Sequence, residues 1–272
     1  MQHYCAIFIA ILIVVLSCSP VQNELWLESD GSGKMEVTFD LQGMLEMMGP
    51  MIGEIVTDSS SGNADPMDMF SSGEQVDTTV SFYDITPDSL KEDYADAELL
   101  KKMQIYMKID SSEQVAMMKM IISFSSPEEL SQIMRAVDNL EGQSENPLQG
   151  FGADQNMDSY VMQYELDLAN GVIRLPAFNL DEEMKKDSSL IDLKPMLDSL
   201  DQLSKDSEEM ALISMIFGSE FTTIVHAPGK ITAVNVDNAT INENTVTFQM
   251  NILEELKKEK NEDVIIRFNP DK

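Results

Sequence analysis

Four times along the chain, two runs of alternating apolar and polar residues flank a turn-forming cluster, and a helical run follows. A period of two puts every second side chain on one face, the mark of a strand buried on one side only. Residues 24–28 and 34–41 flank Asp30-Gly31-Ser32-Gly33, and Val37 and Phe39 alternate with Glu36, Thr38 and Asp40. Asp-Gly between two such runs favours a hairpin, because both residues tolerate positive φ. The second block sets residues 104–109 against 114–124 across Asp110-Ser111-Ser112-Glu113, and the third sets 160–168 against 172–178 across Asn170-Gly171. The last runs through 221–227, Pro228-Gly229, 231–236 and 245–252 to a closing strand at 264–268. One more strand is expected at 79–85.

The helical runs fall between these. Ser126-Pro127-Glu128-Glu129 is a capping box with proline at the first helical position, and Leu130, Ile133, Met134, Val137 and Leu140 follow on one face. A Met-rich helix is expected at 44–56, interrupted at Gly49-Pro50, and a short one from Thr86-Pro87 to Leu100. A long amphipathic helix within 190–217 carries Leu193, Leu197, Leu200 and Leu203 on one stripe, and a short charged one covers 253–260. Residues 57–76 and 141–158 read as polar loops. Strand, strand, helix in succession argues for an α+β fold, an antiparallel sheet built from successive hairpins with helices packed on one face. Residues 24–272 read as a single domain, with 141–158 the candidate for a subdivision.

Residues 4–16 (YCAIFIAILIVVL) form a run of 13 without a charge. That is short of the roughly 20 needed to cross a bilayer and within the roughly 7–15 of a secretory h-region. The run ends at Val15-Leu16-Ser17-Cys18, which resembles a bacterial lipobox, where the cysteine receives a diacylglyceryl group and becomes the first residue after cleavage. Residues 1–17 are therefore expected to be a signal peptide, Cys18 the lipidated residue and 18–23 the tether, with the membrane as partner through the acyl chains. Ser19, where some inner-membrane lipoproteins carry Asp, points to the outer membrane of a Gram-negative cell. Cys5 lies inside the leader, so no disulfide, thiolate nucleophile or Cys-ligated zinc is expected in the mature chain.

Charge excludes one class of partner. The chain has 48 Asp+Glu against 18 Lys+Arg, a net −30, and nucleic-acid binding needs clustered cations. Placed beside a bilayer, that acidity keeps the domain solvated and off anionic headgroups. Past the leader His226 is the only histidine, and it reads as a strand residue satisfied by its neighbours. There is no G-x-S-x-G elbow, P-loop, G-x-G-x-x-G or H-E-x-x-H, and the Asp-Gly-Ser-Gly turn lacks EF-hand spacing. No catalytic residue, metal or cofactor is assigned, and the chain is expected not to be an enzyme. Methionine is the compositional outlier, at 21 residues. Met117, Met118 and Met120 cluster in one strand, and Met44, Met47, Met48 and Met51 fall at helical spacing. Ordinary core filling is the first reading of these and a plastic apolar pocket the second; with no Cys or His nearby, a Cu(I) site is the weakest. For a pocket, the candidates are Met44, Met47, Met48 and Met51 with Leu193, Leu197 and Leu200.

The stretch 221–252, with Pro228, Gly229, Asn235, Ala239, Asn244, Thr245, Val246 and Phe248, resembles the end of LppM-like bacterial envelope lipoprotein domains. LESDGSGKMEVTFDL resembles their first hairpin. The likeness covers the two ends and leaves the middle unmatched. It implies an envelope lipoprotein whose curved antiparallel sheet grips helices, with no catalytic residues; some members of the group hold lipids or glycolipids. The expected function is thus a non-catalytic, lipid-anchored envelope protein binding a lipid or amphipathic ligand between sheet and helices. The alternative is a structural lipoprotein without a ligand cavity, docking an envelope protein partner through its acidic face. A cavity of roughly 300–1,000 Å³ lined by Met, Leu and Ile separates the two.

Overall fold

β1 (Val21–Leu27) and β2 (Gly33–Asp40) pair antiparallel around the Asp-Gly turn, as their alternation requires. The structure is a computed structural model that describes residues 21–41, 75–86, 91, 97–110, 115–141, 164–177, 220–251 and 262–270. In the turn, Asp30 accepts hydrogen bonds from the Ser32 N–H (2.9 Å) and hydroxyl (2.6 Å), and Gly31 takes φ 86°. The Ser32 hydroxyl, then its N–H, hold the Asp30 carboxyl below its ordinary range. Gly33 is needed for a different reason: a Cβ there would stand 2.2 Å from the Trp26 carbonyl oxygen.

β4 (Met103–Asp110) and β5 (Val115–Phe124) form the second hairpin, β5 docks on β2, and β3 (Val76–Ser81) completes that edge. The strand expected at 79–85 starts earlier and stops at Ser81. Phe82–Ile85 instead form a helical turn, α1, which buries Phe82 and is closed by the Thr86 hydroxyl donating to the Phe82 carbonyl at 2.8 Å. Leu100 lies in a 3₁₀ helix, Ala97–Lys102. The later strands are β6 (Glu165–Asp167), β7 (Val172–Leu175), β8 (Glu220–His226), β9 (Gly229–Val234), β10 (Thr240–Asn242), β11 (Thr245–Asn251) and β12 (Val264–Pro270).

The described strands form two sheets, β10-β11-β8-β1-β2-β5-β4-β3 and β6-β7-β12-β9. Two points correct the expectation of one antiparallel sheet. β1 pairs in parallel with β8, so the larger sheet is mixed, and the third hairpin builds a sheet of its own with β12 and β9. The physical reason is edge use. A hairpin occupies one edge of β1; the other edge remains open to any strand of matching face, and β8 takes it.

Both sheets contribute to one apolar core. Leu25, Met35, Val37, Ile122, Val225 and Phe248 from the larger sheet share it with Ile173, Ile231, Ile266 and Phe268 from the smaller. Met35, Met103, Met107, Met120 and Met134 are buried, so for these the core-filling reading of methionine holds. α2 (Pro127–Glu141) joins through Leu130, Ile133, Met134 and Val137, the face its spacing marks; the Leu140 side chain lies outside the described ones. α2 contacts the 3₁₀ helix and β5. The helices expected at 44–56, 190–217 and 253–260 lie outside the described residues, as do the loops at 57–74 and 142–158.

The cap of α2 is displaced by one residue from the box read in sequence. The Ser126 hydroxyl accepts from the Glu129 N–H at 3.2 Å, as expected. The Glu129 carboxylate, however, reaches the Ser125 N–H and hydroxyl, both at 2.6 Å, and pairs with Lys102 at 2.5 Å. Lys102 first, then Ser125, lower its pKa to about 2. A carboxyl depressed in the folded state stabilises above its unfolded pKa of about 4.5 and loses that contribution as pH falls through about 2. The side chain is 18% exposed, and screening holds the effect near 1 kcal/mol. Glu129→Gln is therefore expected to lower thermal stability at neutral pH, with the gap to the parent closing between about pH 4.5 and 2. Melting curves across that window check it; a gap independent of pH would remove the charge from the account.

Candidate functional site

Alternation in β1 sends Leu25 and Leu27 into the core and Glu24 and Trp26 to the opposite face. The parallel register sets His226 beside Trp26, and the antiparallel one sets Lys34 on its other flank. Trp26 stacks on the His226 ring (centroids 5.0 Å, planes 5° apart), and the Lys34 ammonium lies 4.0 Å from the indole centroid. Lys34 also pairs with Glu36 at 2.9 Å, and Lys119 reaches Glu36 at 3.4 Å. Burial works against that carboxylate, but the hydrogen bond from Lys34 and the two ammonium charges prevail and lower its pKa.

His226 bridges three strands. Its Nε2 is 2.7 Å from Glu24 Oε1 and its Nδ1 is 2.9 Å from Thr245 Oγ1. An ionised carboxylate only accepts, so Nε2 donates to Glu24, and in the neutral imidazole Nδ1 accepts from the threonine hydroxyl. The expectation of a histidine satisfied by its neighbours is met. Hydroxyl, imidazole and carboxylate stand in the order of a hydrolytic triad, so the geometry calls for comparison with one. A triad also needs backbone donors aimed at a developing oxyanion. At this end of the sheet the Ala227 N–H donates to the Asn244 carbonyl (2.8 Å) and the Ile231 N–H to the Glu243 carbonyl (2.9 Å). Through its bonds to Glu24 and Thr245, His226 ties β8 to β1 and β11.

Beside it opens a cleft of about 470 Å³, bordered by Trp26, Glu28, His226, Lys230, Glu243 and Asn244. It lies at the end of β1 remote from residue 21, between the β1–β2, β8–β9 and β10–β11 turns. Its border is polar, unlike the Met, Leu and Ile lining expected of a lipid site. Every pocket residue named from sequence (Met44, Met47, Met48, Met51, Leu193, Leu197, Leu200) lies outside the described residues, and so does Cys18.

A second feature is internal. Asn23 is 8% exposed on the core side of β1, and its Oδ1 has no hydrogen-bond partner. Tyr164 Oη is likewise buried without a partner, and burial, with Glu128 nearby, pushes its phenol well up. Sequence reading missed Asn23, Glu24, Thr245, Lys230 and Glu243. The alternation of β1 marks Asn23 as inward and Glu24 as outward; the partners on β8 and β11 carry no local signal. Among the described residues no group of His, Cys, Asp and Glu is placed to hold a metal ion, and no helix is long and apolar enough to cross a membrane.

No family model matches the chain, and no curated protein matches it. A search of solved structures finds the NMR structure of the folded domain of Mycobacterium tuberculosis LppM, at 9% sequence identity over 94% of this chain and 91% of that one. The TM-score is 0.38.

Proposed function

We propose that the chain is a non-catalytic, lipid-anchored domain of the cell envelope that carries an amphipathic ligand against the inner face of its larger sheet. The leader and Cys18 support the anchor, and β1 begins at Val21, so the tether is too short to let the domain stray from its bilayer. The observation that carries the ligand reading is Asn23. A buried amide oxygen without a partner costs about 1–3 kcal/mol, and it sits on a face built mainly from Leu25, Val37, Phe39 and Phe248, with buried Thr223 its neighbour on β8. One unsatisfied acceptor on a mainly apolar face suits a ligand with a donor group and a hydrocarbon body.

Native mass spectrometry of the chain purified from cells tests this reading. The expected result is an adduct of lipid mass on the parent and none on Asn23→Leu, with the variant more stable to urea by about 1–2 kcal/mol because the orphan acceptor is gone. An apo mass for the parent under all conditions would favour the docking alternative. Cys18→Ser tests the anchor separately, through loss of partitioning into the detergent phase, and fractionation of the parent tests the outer-membrane placement.

A further inference from the structure

The cleft at the far end of β1 has chemistry that the envelope reading leaves unused. Glu28 comes to it from the β1–β2 turn, Lys230 from β9 and Glu243 from the β10–β11 turn, while half-buried Pro228 adds apolar surface. Lys230 Nζ and Glu243 Oε2 stand 3.8 Å apart, with the two side chains 67% and 76% exposed. They form an exposed ion pair without a hydrogen bond, so the hydrogen-bonding positions of both groups stay open to a ligand.

Glu243 is also conformationally out of place. It has φ 54° and is the one non-glycine residue with positive φ among the described residues. Glu243-Asn244 is the two-residue turn between Asn242 and Thr245, where a glycine would be unstrained. The Ile231 N–H bond to its carbonyl and the Ala227 N–H bond to the Asn244 carbonyl fix this backbone against the β8–β9 connection. Both are main-chain bonds, which glycine would make equally well. Only the carboxylate distinguishes glutamate at this position, and the carboxylate borders the cleft.

Charge then selects the ligand. The net −30 opposes an anion, and Lys230 opposes a simple cation beside it. A molecule of zero net charge that carries ammonium and carboxylate on neighbouring atoms avoids both penalties and can lie head to tail across the Lys230–Glu243 pair. We propose that this cleft binds a free α-amino acid with an apolar side chain, its ammonium on Glu243, its carboxylate on Lys230 and its side chain against Pro228. Glu28 is the other carboxylate bordering the cleft. This site is independent of the lipid anchor and of Asn23.

Trp26 borders the cleft and is the only tryptophan, so its fluorescence reports occupancy directly. The full chain is titrated with L-valine, L-leucine and L-phenylalanine, and with two analogues of leucine, the methyl ester (ammonium only) and 4-methylpentanoate (carboxylate only). The expected result is saturable binding of at least one amino acid, and for leucine a weakening of about tenfold or more in each analogue, which lacks one charge-assisted bond. Lys230→Met and Glu243→Gly are expected to weaken amino-acid binding by about the same factor, the latter with a melting temperature unchanged or raised. The proposal is overturned if no amino acid gives a saturable response, if the ester binds as tightly as leucine, or if Glu243→Gly melts lower or binds unchanged.

Discussion

Replacing Gly171 with alanine is expected to cost about 3–5 kcal/mol, among the largest effects of a single methyl group. Two terms act together. Gly171 has φ 61°, a left-handed conformation that costs an L-residue about 1–2 kcal/mol. In addition, the new Cβ would stand 2.0 Å from the Phe268 carbonyl oxygen and 3.0 Å from Pro270 Cδ. The obstruction is main chain, and it cannot swing aside, because the Phe268 N–H is bonded to the Gly171 carbonyl at 2.8 Å. β12 has to move, and with it Ile266 and Phe268, which are core residues. Gly31→Ala separates the two terms. Gly31 has φ 86°, but its nearest neighbours, on Leu168 and Pro127, are side-chain atoms at 4.0 Å, so only the conformational term applies. Urea denaturation of the two variants measures the difference. Equal losses would show that β12 yields to the methyl group without cost.

Local chemistry was legible where a turn and its two strands lie within one short stretch. Asp30-Gly31 announced β1–β2, and the run from Met103 to Phe124 announced β4–β5. Asn170-Gly171 announced β6–β7, but with the wrong turn. The loop spans residues 168–171, Asn170 donates its backbone N–H to Asp167 (3.1 Å), and only Gly171 has positive φ. Asp167 and Asn170 together satisfy the turn, which a two-residue reading does not anticipate. Ser126-Pro127 marked the start of α2, although the Glu129 carboxylate caps Ser125 rather than Ser126.

What sequence did not carry was the choice among distant partners. Nothing in QNELWLE says that its second edge takes TTIVH in parallel, or that VIIRF bridges β7 and β9. Such pairings depend on which edge is free once the hairpins have formed, a property of the assembled sheets. The site inherits that blindness. His226 could be read as a strand histidine, yet Glu24 lies 202 residues away in sequence, and only the β1–β8 register brings them to 2.7 Å. Phe82 failed for a related reason: its β-forming side chain is buried in a helical turn that Thr86 closes, so burial overrode propensity.

Phe248→Ala is expected to cost about 3–5 kcal/mol, a large fraction of the 5–15 kcal/mol typical of a whole domain. Phe248 is 1% exposed on the inner face of β11, directly across from Thr223 on β8. Truncation removes a ring from the shared core and leaves a void whose neighbours are held in place by ladders on both sides of β8. The cost falls towards the lower end if a water enters, because Thr223 supplies a polar partner that an all-apolar cavity lacks. Phe248→Leu keeps most of the volume and is expected to cost under about 1.5 kcal/mol. The comparison with Gly171→Ala carries further information. Phe248 lies in the larger sheet and Gly171 beside the smaller one, yet both sheets contribute to one apolar cluster. Each variant should therefore shift a single cooperative transition, and amide exchange at Ile266 and Val37 should accelerate together in both. Two separated transitions in Phe248→Ala, with Ile266 still protected, would mean that the sheets fold as independent units despite the core they share.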